Sequence, residues 1–291
     1  MKIFQEKDLI LKSNLEKNFK NYLIEKYSQE IANKIERIYT LHNSVDISII
    51  NQKEFVNNIY IVIDGCEEFP IYLPFEHNLK DKITFIYLYK NSGPGVARNI
   101  GVIFAKSKNI IFLDAGDKCS KNRIALQINS LINNDISVGN ILEIDKKNNK
   151  SSVRISASNK INANRILPYR TPFNNVTIAI KRTIFMELGG YPDLRTAEDW
   201  LFMGKVLKSN LKISYEKDIL VEINKDDFFI YRRKGKLVYN DIKSCIKELN
   251  KIGLINKFEM YLSLNLQRVL RLYTPKIILG SIYTLLRKQI N

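Results

Sequence analysis

The chain alternates short apolar runs with stretches in which apolar residues return every three or four positions. Over 14–38, Leu15, Phe19, Leu23, Tyr27, Ile31 and Ile35 keep helical spacing and predict an amphipathic helix. The runs VDISII (Val45–Ile50), IYIVID (Ile59–Asp64) and ITFIYLY (Ile83–Tyr89) are too short for helices and predict buried strands. GPGVARNIGVIFAKS then reads as a helix opened by glycine, NIIFLDAGD as a strand and its loop, and RIALQINSLINN (Arg123–Asn134) as a second helix. Residues 136–166 are strand-like but polar. Beyond them the pattern gives a strand, a short helix, a Gly-Gly turn, a loop, a helix beginning near Ala197, and strand material in LKISYEKDILVEIN. This alternation predicts an α/β fold, a mostly parallel sheet flanked by helices on both faces.

The C-terminal stretch has a different rhythm. Phe258, Leu262, Leu266, Val269, Leu270 and Tyr273 keep helical spacing, and after Pro275 the pattern resumes at Ile278, Ile282, Leu285 and Leu286. Arg268, Arg271, Lys276, Arg287 and Lys288 are interleaved with them. Basic residues beside an apolar stripe suit a membrane surface, and they equally suit a tail packed on its own domain or on a second subunit. The division expected is 1–44, an N-terminal helical segment; 45–227, the α/β domain; and 228–291, a basic amphipathic helical tail.

Charge sharpens this division. The 291 residues carry 46 Lys and Arg against 30 Asp and Glu, a net charge of +16. The segment 228–291 alone holds 13 basic and 3 acidic residues, so it supplies +10 of the total. A basic chain seeks nucleic acid, anionic lipid or phosphorylated substrates. No nucleic-acid motif is visible, and the basic excess sits among Leu, Ile and Tyr at helical spacing, so no nucleic-acid partner is expected. No run of about 18 apolar residues occurs, so a spanning helix is not expected. The first residues, MKIFQEKDLILKSNLEK, are charged throughout and lack the apolar core of a signal peptide. Cys66, Cys119 and Cys245 have neither metal-ligand spacing nor a disulfide framework, which suits the cytoplasm. His42 and His77 stand alone and read as surface or packing residues.

Chemistry enters where the apolar strand IFLDAGD runs into Asp114 and Asp117. Asp and Gly form turns and cap helices, which is one sufficient reason for them. The other is a ligand: open α/β sheets bind at the carboxyl ends of their strands, and two carboxylates there can hold a divalent cation against a diphosphate. Further features accompany this one. Ile59–Asp64 ends in Asp64-Gly65, the next strand leads into Asn91-Ser-Gly-Pro-Gly-Val-Ala-Arg98-Asn99-Ile-Gly101, and Gly189-Gly190-Tyr191 precedes Glu198-Asp199-Trp200. Acids at a helix start need no special reason, since the helix dipole favours them.

NSGPGVARNIGVIFAKSKNIIFLDAGD and ELGGYPDLRTAEDW together resemble the family 2 glycosyltransferases of the GT-A fold, over roughly 45–224. The resemblance implies transfer of a sugar from a nucleotide-sugar, most often a uridine nucleotide, to an acceptor hydroxyl with inversion. It implies Mn2+ or Mg2+ at Asp117, with Asp114 contacting the ribose or the metal. Asp64 would face the base, and Asn91 and Arg98 would brace the nucleotide side. For Arg98 a structural salt bridge serves equally well. Asp199 would be the general base and Glu198 its neighbour. The acceptor expected is a glycan or lipid-linked glycan of a surface polysaccharide or lipooligosaccharide, met on the inner membrane face. Two departures leave a second reading open, a non-catalytic nucleotide-binding or membrane-associated GT-A domain. Gly116 occupies the middle of the acidic motif, and no Pro-x-Tyr-Asn segment follows Ile50. Only residues 51–58 separate two strand candidates, too few for a parallel crossover.

Overall fold

The computed structural model describes residues 56–65, 82–88, 90–145, 150–225, 231–285 and 288–290. The helix expected over 14–38, the strand expected at Val45–Ile50, the segment 1–44 and Cys66, His42 and His77 lie outside them. β1 (Ile59–Asp64) and β2 (Ile83–Leu88) pair in parallel, with Ile59 opposite Ile83. α1 (Pro94–Phe104) starts on a proline, whose missing N–H would have lacked an intrahelical partner there anyway. It buries Val96 and Ile100 against Ile86 and Leu88. This packing sets the α1 N-terminus at the carboxyl ends of both strands.

A second sheet follows. Its strands are β3 (Asn109–Ile111), β4 (Lys118–Cys119), β5 (Ile136–Asp145), β6 (Lys150–Arg154), β7 (Ala179–Lys181), β8 (Ile213–Asn224) and β9 (Lys288–Ile290). They run β3-β7-β5-β6-β9, with β8 pairing both β4 and β5. The parallel pairing expected from the alternation is met at β1–β2 and at β5–β8. The pairs β3–β7, β4–β8, β5–β6, β5–β7 and β6–β9 are antiparallel, which corrects "mostly parallel" for this sheet. Chain length explains the β5–β6 pair: residues 146–149 join the two strands, and a parallel return needs about a dozen.

The helices α2 (Arg123–Asn133), α3 (Lys160–Ile166), α4 (Arg182–Glu187) and α5 (Glu198–Lys208) cover this sheet. α3 falls where a polar, strand-like stretch was expected. The Asn159 side chain caps it by accepting from Asn162 N at 2.8 Å, and Ala163 and Leu167 are buried. Between α4 and α5 the core is aromatic. Tyr191 and Phe202 stack with centroids 4.6 Å apart, and Phe185 lies 5.6 Å from both Tyr191 and Phe112. Trp200 joins them and donates its Nε1–H to Leu167 O at 2.7 Å, so its polar edge is satisfied.

The C-terminal helices are α6 (Lys236–Lys251), α7 (Lys257–Arg268) and α8 (Lys276–Leu285). The boundary expected at 227 falls in 226–230, outside the described residues. α6 buries Ile242, Cys245, Ile246 and Leu249 in the same core as α5. Gly204 of α5 leaves the space that the Leu249 side chain occupies. A capping box between Asn256 and Glu259 starts α7, a π turn over Val269–Tyr273 ends it, and Pro275 separates it from α8. α7 turns Met260, Ser263, Leu264 and Gln267 inward, and Gln267 Nε2 donates to Tyr169 O. Its Phe258, Tyr261, Leu262 and Leu266 face outward, as does Val269 at the start of the π turn. Among the described residues, no helix is long and apolar enough to cross a membrane.

Candidate functional site

β3 delivers its chain into a tight turn. Asp117 N donates to Asp114 O at 3.2 Å, and Gly116 sits at φ +87°, the left-handed third position that such a turn requires. The turn reading of this motif therefore describes the backbone, and Gly116 answers a conformational need. The same turn gathers the two carboxylates. Asp117 is pushed up to about 7, first by burial and then by the charge of Asp114. Arg123, Arg154 and Arg98 oppose that shift.

Arg98 reaches across from α1. Its Nη2 lies 2.8 and 3.0 Å from the two Asp114 oxygens, and its Nη1 lies 2.9 Å from Glu198 Oε1. The guanidinium also sits 5.4 Å from the centre of the Tyr191 ring. Burial works against its charge, but Asp114, Tyr191 and Glu198 more than offset this and the net shift is upward. The Asn175 amide lies 2.8 Å from Tyr191 Oη; turned with its oxygen toward Arg98, it accepts from both Nη atoms at 3.2 Å. Arg98 thus makes the salt bridges expected as its structural role, and it makes them at the centre of the candidate site.

The N-terminal part of the site is a loop. The Asp64 carboxylate accepts from Ser92 N at 2.6 Å and Gly93 N at 2.8 Å, and Asn91 Nδ2 donates to Asp64 O. Asp64 therefore holds the loop that opens α1. Gly65, at φ +67°, lies so close to Asn91 N that a Cβ would collide with it. Arg195 closes this loop from the other side by donating to Asn91 Oδ1 at 2.9 Å and to Asn91 O.

α5 brings the acid pair. Its N-cap, Ala197, has φ +68°, a left-handed conformation that costs an alanine about 1 kcal/mol or more. The surroundings impose it. Thr196 N donates to Asp241 Oδ2, and Asn99 and Tyr191 exchange two hydrogen bonds, Nδ2 to O at 2.8 Å and N to Oδ1 at 2.9 Å. Glu198 is pushed up to about 7 by burial and then by Asp199. Burial also raises Asp199, whose Oδ1 accepts from Trp200 N at 2.7 Å. α1 approaches Glu198 closely: a Cβ on Gly95 would lie 3.0 Å from Glu198 Cγ.

Among the described residues, no three His, Cys, Asp or Glu side chains converge as a ready metal cage. Asp114 and Asp117 still fit a magnesium- or manganese-type ion, which binds through one or two carboxylates and completes its shell with substrate phosphates and water. Asp117 is raised first by burial and then by the charge of Asp114, and a dication beside it would favour its charged form. Asp114 is already engaged by Arg98, so Asp117 is the principal candidate ligand.

The sequence-predicted residues thus gather around Arg98: its guanidinium holds Asp114 and Glu198, Asp117 and Asp199 adjoin these two acids, and the Asp64–Asn91 loop opens the helix that carries it. Sequence reasoning missed Arg123, Arg154, Asn175 and Arg195. Arg123 is fully buried and donates to Phe112 O and Val176 O, bracing the strand that leads to Asp114. Arg195 lies between two motifs that were singled out, and that position was its signal. Arg154 ends a polar strand with no motif around it.

Residues 40–189, half of the chain, match the family described as Glycosyl transferase family 2. An uncharacterized glycosyltransferase of Haemophilus influenzae is 26% identical over 195 residues, 65% of this chain and 72% of the relative. The amylovoran biosynthesis glycosyltransferase AmsE of Erwinia amylovora is 22% identical over 238 residues, 77% and 82% of the two chains. The crystal structure of residues 1–349 of S. aureus TarS superposes with a TM-score of 0.52 at 18% identity, covering 84% of this chain and 68% of that one. Its complex with UDP-GlcNAc superposes with a TM-score of 0.50 at 17% identity, covering 76% and 67%. With the GT-A arrangement and both motifs in place, the chain belongs to the family 2 glycosyltransferases.

Proposed function

We propose that the protein transfers a sugar from a nucleotide-sugar, with a uridine nucleotide the first expectation, to an acceptor hydroxyl with inversion, in the synthesis of a bacterial surface polysaccharide or lipooligosaccharide. The observation that carries this reading is the Arg98 bridge, which sets a donor-side carboxylate, Asp114, beside the acid pair Glu198-Asp199. The donor's diphosphate lies toward Asp114 and Asp117, and its base and ribose toward the Asp64–Asn91 loop. Asp117 and Asp114 would hold the divalent cation, which neutralises charge on the leaving diphosphate when bound. Asp199 takes the proton of the attacking hydroxyl while the sugar–phosphate bond breaks on the opposite side, so one displacement inverts the anomeric centre. The amylovoran biosynthesis named for AmsE and the UDP-GlcNAc complex of TarS support the choice of substrate class.

The test is thermal stability with UDP-, GDP-, CDP- and TDP-sugars, with and without manganese. One nucleotude class should raise the melting temperature in a metal-dependent way, and Asp117→Ala should lose the metal-dependent part. A binding protein without turnover would show the shift but release no nucleotide when acceptor is supplied.

The tail extends the reading to an anionic bilayer surface on the cytoplasmic side, which would present a lipid-linked acceptor. Phe258 is 73% exposed, Ile277 85% and Leu285 84%, with Lys257, Arg268 and Lys276 exposed beside them. An apolar stripe facing outward and flanked by cations matches an interfacial helix. Flotation with phosphatidylglycerol vesicles should recover the wild type and lose the Phe258→Asp/Ile277→Asp variant. Equal recovery of both would remove the tail from membrane binding.

A further inference from the structure

Resting on the nucleotide-sugar reading above, we infer that Arg195 and Asp241, the latter on the C-terminal helix α6, are positioning residues for the donor. Together they clamp the Asp64–Asn91 loop through the segment 192–197. Asn91 is committed to this frame. Its Nδ2 donates to Asp64 O at 3.1 Å, and its Oδ1 and O both accept from Arg195. Both arms of the Arg195 fork are thus used on one residue 104 positions away. The backbone comes close as well: a Cβ on Gly93 would lie 3.6 Å from Arg195 Cγ and 3.8 Å from its Cα. Gly93 N is in turn held by the Asp64 carboxylate.

Arg195 is exposed, so its grip depends on the backbone behind it. The Thr196 N–H belongs to the planar peptide unit that begins at the Arg195 Cα, and Asp241 Oδ2 accepts from it at 3.1 Å. Asp241 is a fixed anchor, because its neighbour Ile242 is buried with Cys245, Ile246 and Leu249 in the core shared with α5. Immediately after Thr196, Ala197 takes the left-handed conformation that an unsupported alanine would leave. A continuous path therefore runs from Asp241 to Thr196, from Arg195 to Asn91 and from Asn91 to Asp64. The segment leads directly into Glu198-Asp199, so one support serves both the donor loop and the acid pair. The stretch expected as a membrane tail thus also carries part of the frame of the site.

The experiment uses the full chain with manganese and whichever of UDP, GDP, CDP and TDP the wild type binds best. By calorimetry, Arg195→Ala and Asp241→Ala should each weaken that nucleotide about fivefold, the worth of one hydrogen bond. The double variant should lose no more than the larger single loss, since both break one path. Asp241→Asn keeps an oxygen that accepts from Thr196 N and should recover most of the affinity. Arg195→Lys keeps the charge without the fork and should recover only part. Bound nucleotide should also slow hydrogen exchange of the segment 192–197 in the wild type, and Arg195→Ala should lose that protection. Additive losses in the double variant, or no slowing of exchange in the wild type, would overturn the inference and leave the nucleotide-sugar reading standing. No binding of any of the four nucleotides by the wild type would overturn both.

Discussion

Asp199→Asn is expected to lower kcat by about a hundred- to ten-thousand-fold, the range for loss of a general base, with little change in donor affinity. The asparagine keeps the shape and can still accept from Trp200 N, so the helix start survives. What disappears is the capacity to take a proton. Nucleotide release from the donor in the presence of acceptor is the measure, and a fall of less than tenfold would pass the base to Glu198. The pH dependence gives a second handle. Glu198 and Asp199 are both raised, mainly by burial, and their protons belong to the pair. The wild-type rate should rise with pH through about 7 as the pair gives up its proton. Stability should run the other way. Glu198 is ordinarily near 4.5 and is raised in the fold, so the native state holds the extra proton between there and about 7. Its contribution is fullest below that window and is lost as pH rises through it. Asp199→Asn removes the neighbouring charge and should flatten the stability slope.

Arg98→Met should carry the largest cost in stability. The guanidinium pairs with Asp114 and Glu198, whose side chains are 43% and 9% exposed. Removing one member of a buried pair costs about 3–5 kcal/mol. Solvent screening at Asp114 puts the expectation near the lower end, about 3 kcal/mol. For a chain of this size that is a drop of roughly 6–12 °C in Tm. Because the acids left behind are easier to bury protonated, the loss should be larger at pH 8 than at pH 6. Arg98→Lys keeps one charge but cannot span both carboxylates, so it should recover only part of the stability. A loss below about 1 kcal/mol at pH 8 would mean the bridge is dispensable.

Much of this site was legible because its residues fall in short motifs at element ends. Asp64 ends a short continuous apolar run, Asp114 follows another, and Glu198-Asp199 opens a helix, so the apolar pattern alone placed them near strand ends or a helix start. What escaped were side chains that depend on contacts between distant segments. Arg154 stands in KSSVR, where nothing local marks it, and its bond to Asn174 joins segments that the sequence does not connect. Asn175 opens NVTIAI, whose apolar residues carry the strand signal and leave the asparagine unmarked. Sheet direction was misread for a related reason. Alternation of strand and helix signals parallel pairing, but the four-residue connection between β5 and β6 overrides it, and so short a link was hidden within a polar stretch. The outward stripe of α7 was visible as a stripe. Its direction was not, because Ser263 and Gln267 are buried on account of where the helix docks.

The reciprocal bonds between Asn99 and Tyr191 join residues 92 positions apart, and Arg98 meets Glu198 across 100. Contacts so distant in sequence bring a loop-closure cost that local helix formation does not. The site is thus expected to assemble after the helices and hairpin that carry it. On the ribosome, α1 emerges with Arg98 long before its partner Glu198 has been made, so the order of synthesis keeps the acid pair apart from its counter-ion until most of the catalytic body is already available to fold around both.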